Sequence, residues 1–298
     1  TLTDIGGFGG CYEFDKDRYE KPVLVSSADG VGTKLKIAFM MNQHDTIGQC
    51  LVNHCTNDIL AVGARPLFFL DYFATGKLSV ETVEQVVSGL SKACKENSCS
   101  LIGGETAEMP DFYQEGEYDI SGTIIGVVDK KYMMPMRKTS AGDLLVGLPS
   151  TGLHTNGYSL ARKALLEKYC VDRYFDDLEM TLGMSLLSVH KSYLPVLDSI
   201  LEKDWLHGIS HITGGGLVEN THRVIEENQD IEVDWDAWQW PEIFNMIQSN
   251  GNVPLDDMRR SFNLGVGMVL IINPDALQDL ENHLNSINES YTLIGKVI

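Results

Sequence analysis

Short apolar runs of strand length alternate along this chain with longer helix-like stretches, and the alternation breaks once and then restarts. That pattern demands sheets with helices packed against them, and the break demands two such bodies. In the first half, "PVLVSSA", "PLFFLDYFA", "SLIGG" and "YDISGTIIGVVDK" have strand character. Residues 45 to about 63 form a helix pattern with Gly63 at its stop. A second helix begins behind Ser79 as N-cap, carries Glu81 and Glu84 near its first turn and runs to about Lys95. The break lies at 132–142, "YMMPMRKTSAG". Beyond it come the strand "DLLVGLPS", helices at about 156–169 and 184–203, a glycine turn into a helix at "HITGGGLVENTHRVI" and a short helix at "DDMRRSFN". The strand "LGVGMVLII", a last helix opened by Pro274 and the closing strand "YTLIGKVI" complete it. The expected fold class is α+β with α/β-like alternation, in two domains, 1–135 and 136–298.

With 298 residues, 43% of them hydrophobic, the chain can build real cores. No apolar run is long enough to span a membrane. A formal net charge of -19 repels nucleic acid and anionic membrane surfaces. It does not repel a small phosphate ligand, which is held by local amides, lysines and a metal ion. An acidic enzyme of this kind is expected to recruit Mg²⁺ with a triphosphate. Cys50/Cys55 and Cys94/Cys99 share a C-x4-C spacing, but zinc sites use tighter spacings in loops, so reduced cytosolic thiols are expected. No leader is visible; the start at Thr1 and the abrupt end in a strand-like run lead us to expect missing terminal residues.

The familiar nucleotide motifs fail. "GGFGG" at Gly6, Gly7, Phe8, Gly9 and Gly10 misses the dinucleotide spacing and has no strand before it. "ATGKLS" has Asp71 where a phosphate-binding Walker loop needs glycine. What remains is a set of glycine-rich turns. In "ADGVGTKLK", Gly30 and Gly32 free the backbone for close approach, Lys34 can meet a phosphate, and Asp29 needs an intervening cation to do so. A plain turn fits "DG" equally well. Asp58, beside Asn57 in an otherwise apolar helix, needs a partner or a metal if buried, or else faces solvent. In "LIGGETAEMP", Gly103 and Gly104 end an apolar run and Glu105 is a third candidate for the metal, or part of an ordinary acidic loop.

Two further turns lie in the second half. "PSTGLHTNGYSLARK" places His154, Thr155 and Asn156 just before a helix, where free amides attract anions. His154 is a candidate for proton transfer or charge stabilisation, against the bland alternative of a surface histidine. Gly214, Gly215 and Gly216 offer an anion nest or a hinge.

These strings, in this order and spacing, resemble the AIR synthetases, the phosphoribosylformylglycinamidine cyclo-ligase family of purine biosynthesis. "DGVGTKLKIA", "NDILAVGARPLFFLDYFATGKL", "LIGGETAEMP", "GLPSTGLHTNGYSLARK", "HITGGGLVEN" and "RRSFNLGVGMVL" carry the resemblance across the whole chain. It implies ATP-dependent ring closure of formylglycinamidine ribonucleotide, a small-molecule substrate, to 5-aminoimidazole ribonucleotide. It also implies a cytoplasmic homodimer whose N-terminal sheets pair into a shared barrel. The implied roles are Mg²⁺ on Asp29, Asp58 and Glu105, and ATP on Lys34, Gly6–Gly10, Gly30, Gly32, Gly103 and Gly104. His154, Lys34 and Asp58 would be catalytic, and Thr155, Asn156 and Gly214–Gly216 would face the substrate. Cys11 departs from the aliphatic residue expected after the glycine loop. Related selenophosphate synthetases carry a reactive cysteine and lysine there, but Phe14 stands three residues on, so Cys11 reads as a tolerated change. Another enzyme of the same superfamily, such as a selenophosphate synthetase or a thiamine-phosphate kinase, and a non-catalytic paralogue are the competing expectations.

Overall fold

The computed structural model describes residues 1–3 and 6–298. In the first half, β1 (Pro22–Gly30) leads through α1 (Leu35–Met41) to α2 (Asp45–Ala61). Gly63, at φ +90°, lets the chain leave α2 and enter β2 (Arg65–Thr75). Ser79 then caps α3 (Val80–Glu96) by accepting the Thr82 amide, as its position in the sequence predicts. β3 (Ser100–Glu108) and β4 (Tyr118–Asp129) follow.

Past Lys130 the chain forms β5 (Leu144–Pro149), α4 (Tyr158–Leu166), the two-residue strands β6 (Tyr174–Phe175) and β7 (Met180–Thr181), α5 (Leu182–Leu186) and α6 (Leu194–Leu197). Then come β8 (Leu206–His211), α7 (Gly216–His222), β9 (Ile231–Val233), α8 (Glu242–Gly251) and α9 (Leu255–Ser261). β10 (Val266–Ile272), α10 (Leu277–Ser286) and β11 (Thr292–Val297) close the order.

Two compact units result. One holds residues 1–59, 64–130 and 170–192; the other holds 60–63, 131–169 and 193–298. The grouping therefore does not follow a single cut at residue 135, because Cys170–Ser192 packs with the first unit.

The first unit is built on a four-stranded sheet in the order β1-β4-β2-β3. β4 pairs antiparallel with both neighbours, while α3 provides the crossover that makes β2 and β3 parallel. Period-two alternation sorts the side chains onto two faces. One face, with Phe69, Phe73, Ile120 and Ile124, is buried. α2 lies on it: the side-chain position missing at Gly126 is filled by Ile59, and Cys55 Sγ stands 3.8 Å from the Gly122 carbonyl. The other face leaves Leu24 65% and Tyr72 38% exposed.

The helix expected at 184–203 does not form as one piece. α5 ends at Leu186 and α6 begins at Leu194, with coil between. The reason is tertiary. The carbonyls of Ser188, His190 and Lys191 accept side-chain donors from Lys34 (2.6 Å), Asn53 (2.7 Å) and Asn57 (2.8 Å) respectively. A helix would have spent those carbonyls on its own amides.

The second unit carries a five-stranded antiparallel sheet in the order β8-β10-β5-β11-β9. β10 is buried at every position. Its Met268, Leu270 and Ile272 join a cluster with Leu197, Leu201, Leu280 and Leu284, whereas Val269 and Ile271 join Leu217, Ile294 and Val297 on the opposite side. A strand covered on both faces must be apolar throughout, which is why this run is the greasiest in the chain.

Candidate active site

The register of the first sheet lines up one cross-strand row. Asp29 of β1 pairs with Gly122 of β4, which pairs with Asp71 of β2, which pairs with Gly104 of β3. Paired residues share a face, so both aspartates project toward the α2 side, their backbones about 10 Å apart. The glycines make this possible. A Cβ at Gly104 would stand 2.3 Å from Asp71 Oδ1, and one at Gly122 would stand 2.1 Å from the Phe69 ring.

Helical spacing brings His54 and Asp58 of α2, one turn apart, over the Asp29 end of the row. His54 Nε2 is 3.0 Å from Asp29 Oδ2 and 3.8 Å from Asp58 Oδ2. Ser27 Oγ donates to Asp58 Oδ2 at 2.8 Å, and the Gly30 amide donates to Asp29 Oδ1 at 2.6 Å. Burial raises the Asp29 carboxyl, but the hydrogen bond and charge of His54 outweigh it and hold the pKa below the usual carboxylate range. Burial likewise opposes the charge on His54, and the two aspartates overcome it, so its pKa is raised. Asp29 and Asp58, two of the three carboxylates singled out for a metal, thus stand against the same imidazole of His54. Carboxylate oxygens are the hard donors that a divalent ion takes.

Glu105 does not join them. It follows Gly104 on β3 and pairs with Tyr72, so it projects from the opposite, exposed face of the sheet. Sequence spacing could not show this, because it depends on which strand residue faces α2.

Lys34 is also placed differently from the expectation. It is 0% exposed, and its ammonium donates to Cys50 Sγ at 3.1 Å and to the Ser188 carbonyl at 2.6 Å. A lysine spent on these groups ties the loop to the 188–192 segment and is not open to a phosphate. Gly32, at φ +55°, has open space around it, and Gly6–Gly10 form an exposed segment. Gly10 is packed so that a Cβ would meet the Ile102 carbonyl at 2.8 Å. Gly103 sits on the same face as Glu105.

One functional candidate was missed. Asp71 figures in the sequence only as the residue that spoils a Walker loop. Burial pushes its carboxyl up to about 6, the hallmark of a group able to exchange protons near neutral pH. Its alternation with Phe69 and Phe73 was the available signal, since a carboxylate on a buried face must be either costly or used. The sign of its effect on stability follows. A folded-state pKa near 6, above the unfolded value of about 4, means the native protein binds this proton more tightly. Stability is therefore expected to fall as pH rises from about 4 to about 6, and Asp71→Asn should remove that slope. Urea midpoints across this window will check it; parallel profiles for both proteins would refute the assignment.

In the second unit, His154 is only 1% exposed and sits at φ +60°. Its Nε2 accepts the Thr151 amide at 3.2 Å, and its carbonyl accepts Tyr158 Oη at 3.1 Å. The ring organises its own loop from inside. Thr155 is buried, while half-buried Asn156 lies with Oδ1 3.4 Å from where a Gly214 side chain would begin. The two turns singled out in the second half therefore meet. The glycine run is not an anion nest at Gly215 and Gly216, whose amides are bonded to the Arg260 and Thr213 carbonyls. Gly216, at φ +73°, is required by packing: a Cβ there would lie 1.8 Å from the Arg259 carbonyl.

Comparison with known proteins gives a consistent picture. The family model described as AIR synthase related protein, N-terminal domain, matches residues 12–128, and its C-terminal counterpart matches 140–298. Proteins named phosphoribosylformylglycinamidine cyclo-ligase from Alkaliphilus metalliredigens and Pseudothermotoga lettingae are each 47% identical. Those matches cover 100% of this chain and 86% and 88% of the relatives. Among solved structures, thiamine-monophosphate kinase from Stenotrophomonas maltophilia K279a superposes with a TM-score of 0.71 at 19% identity, covering 93% of this chain and 83% of that one. T. maritima PurL complexed with AMPPCP gives 0.61 at 12% identity, covering 93% and 40%. At these identities the structural likeness is one of fold.

Proposed function

This chain belongs to the AIR synthase related family, and from that premise we propose that it is the enzyme that closes the imidazole ring of 5-aminoimidazole ribonucleotide at the expense of ATP. The observation that carries this reading is the match, over the full chain at 47% identity, to relatives named for that reaction. In the reaction, the formyl amide oxygen of formylglycinamidine ribonucleotide attacks the γ-phosphorus of ATP and ADP leaves. The amidine nitrogen then attacks the activated carbon, phosphate departs with the C–O electron pair, and the nitrogen gives up its proton.

Phosphoryl transfer asks a protein for positioning and charge neutralisation more than for covalent chemistry. Asp29 and Asp58 are the residues that would hold Mg²⁺, which when bound neutralises charge on the phosphates. The Asp29 carboxyl, held ionised by its neighbours, is ready for that role at neutral pH. Gly6–Gly10, Gly30 and Gly32 offer backbone approach to the ATP phosphates. Asp71, on the same sheet face, is a carboxyl that can hold or release a proton near neutral pH. In the C-terminal half, Asn156 and Gly214 would contact the ribonucleotide, with His154 and Thr155 shaping that turn from within. Residues 1–135 would thus serve ATP and 136–298 the substrate.

The exposed apolar face of the first sheet, with Leu24 and Tyr72, would pair with a second copy into a homodimer. Sedimentation at two concentrations reads that out; a monomer at both would remove the dimer. Among the described residues, no helix is long and apolar enough to cross a membrane.

The direct assay incubates the protein with ATP, Mg²⁺ and formylglycinamidine ribonucleotide and follows aminoimidazole formation. Product and ADP are expected in equal amounts. ADP release driven instead by selenide or thiamine phosphate, with no aminoimidazole, would overturn the assignment.

A further inference from the structure

The string "RRSFNLG", residues 259–265, has none of the roles so far assigned, yet both turns given to the substrate are built on it. Gly215 donates its amide to the Arg260 carbonyl at 3.1 Å, and the backbone of Gly216 lies against the Arg259 carbonyl. Gly157, at φ +77°, closes the other turn, where a Cβ would stand 2.2 Å from the Phe262 ring and 3.0 Å from the Ser261 carbonyl. Asn263 grips that second turn at its start. The residue is 4% exposed. Its Nδ2 donates to the Gly152 carbonyl at 2.9 Å, and its Oδ1 accepts the Ser150 hydroxyl and the Gly265 amide, each at 2.9 Å. A backbone amide only donates and a backbone carbonyl only accepts, so these partners fix which way the side chain is turned. They also call for an amide, since one buried group must donate on one side and accept twice on the other. The Ser150 amide meets the Gly265 carbonyl at 2.9 Å and completes the join. The bend that follows holds Leu264 at φ +52°, a conformation a leucine adopts only when its surroundings impose it.

We propose that Asn263 is a positioning residue for the ribonucleotide: by clamping Ser150 and Gly152 it holds the 150–157 turn so that Asn156 meets the substrate beside Gly214. This rests on the reading of Asn156 and Gly214 as substrate contacts. Asn156 makes only long bonds of its own. Its amide lies 3.4 Å from the Leu153 carbonyl, and its Nδ2 lies 3.5 Å from Thr155 Oγ1. Bonds of that length hold a side chain weakly, so the backbone on either side sets its place. On one side that backbone is Gly157, packed on Phe262; on the other it is the stretch that Asn263 grips. The facing turn hangs on the same segment through Gly215. One short piece of chain therefore sets the gap between the two turns, and that gap decides whether a ligand can touch both. A misplacement of about 1 Å at such a contact costs up to about a hundredfold.

The test titrates the full chain with formylglycinamidine ribonucleotide by calorimetry. The proteins are the wild type, Asn263→Asp, Asn156→Ala and the double variant, with far-ultraviolet circular dichroism checking the fold. At pH 8 the aspartate keeps the shape and both accepted bonds, which favour its ionised form, but it cannot donate to Gly152. Asn263→Asp is expected to weaken ribonucleotide binding by about tenfold or more and to raise the KM for it, with the KM for ATP within about twofold of wild type. Asn156→Ala should weaken binding by about tenfold. Because Asn263 acts through Asn156, the double variant should bind within about threefold of Asn156→Ala alone. Unchanged binding in Asn263→Asp, wild-type binding in Asn156→Ala, a double loss equal to the product of the single losses, or an equal rise in the KM for ATP would each overturn the proposal. If the wild type does not bind the ribonucleotide at all, the substrate reading itself falls and this inference with it. Should Asn263→Asp fail to fold, Ser150→Ala removes one bond to the clamp and leaves Asn263 in place. It is expected to weaken binding by about threefold in the wild-type background and not at all on Asn156→Ala. Equal losses in both backgrounds, or none in either, would refute the positioning role.

Discussion

Asp58→Asn is expected to lower ATP turnover by at least about a hundredfold while the protein still folds. The loss follows from chemistry. Asn keeps the shape of Asp but removes the charge, through which the proposed metal clamp on a phosphoryl group would be held. The fold survives because the amide oxygen of Asn can still accept the Ser27 hydroxyl, which now donates to Asp58 Oδ2 at 2.8 Å. Removing one of two neighbouring carboxylates also relieves their mutual repulsion. Steady-state ADP release and a thermal melt on the same preparation separate the two effects. Wild-type turnover in this variant would take Asp58 out of the metal site.

Lys34→Met should behave in the opposite way, costing on the order of 2–4 kcal/mol of stability. Methionine fills the volume, but the Ser188 carbonyl and Cys50 Sγ each lose a donor in a place where Lys34 is 0% exposed. The 188–192 coil, whose carbonyls depend on side chains of the first unit, should loosen first. A urea titration reads the loss. Unchanged stability together with a raised KM for ATP would restore the phosphate role that the sequence assigns to this lysine.

These two residues show how far a sequence carries an argument about a site. Both are polar groups in informative surroundings, and both were singled out. For Asp58 the helical pattern left solvent and a partner equally open, and the fold supplies the partners, His54 and Ser27. For Lys34 the pattern was misleading. A lysine after two glycines suits a phosphate, and nothing within ten residues announces a buried carbonyl at Ser188, 154 positions away. Glu105 failed for a different reason. Its neighbour Gly104 shares the row of Asp29 and Asp71, and a single step along a strand moves a side chain to the other face. His154 was drawn inward by the Thr151 amide, a contact three residues away that a loop sequence does not reveal.

Local chemistry settled much before any coordinates: the strands and most helices, the Ser79 cap, the Gly63 stop, the two-part organisation and the family. Each of these depends on residues near one another in the chain, through hydrogen-bond capping, side-chain period and turn geometry. The long motif strings behave the same way, since their specificity lies in unbroken local order. What needed the folded chain was the pairing of strands and the docking of the 188–192 coil. Register decided that Asp29 and Asp71 share a face and that Glu105 does not. Side chains from α2 decided that 188–192 is coil, and through it that His190 backs His54. Those contacts join residues up to 154 positions apart, and their free energy exists only once both partners have been brought together.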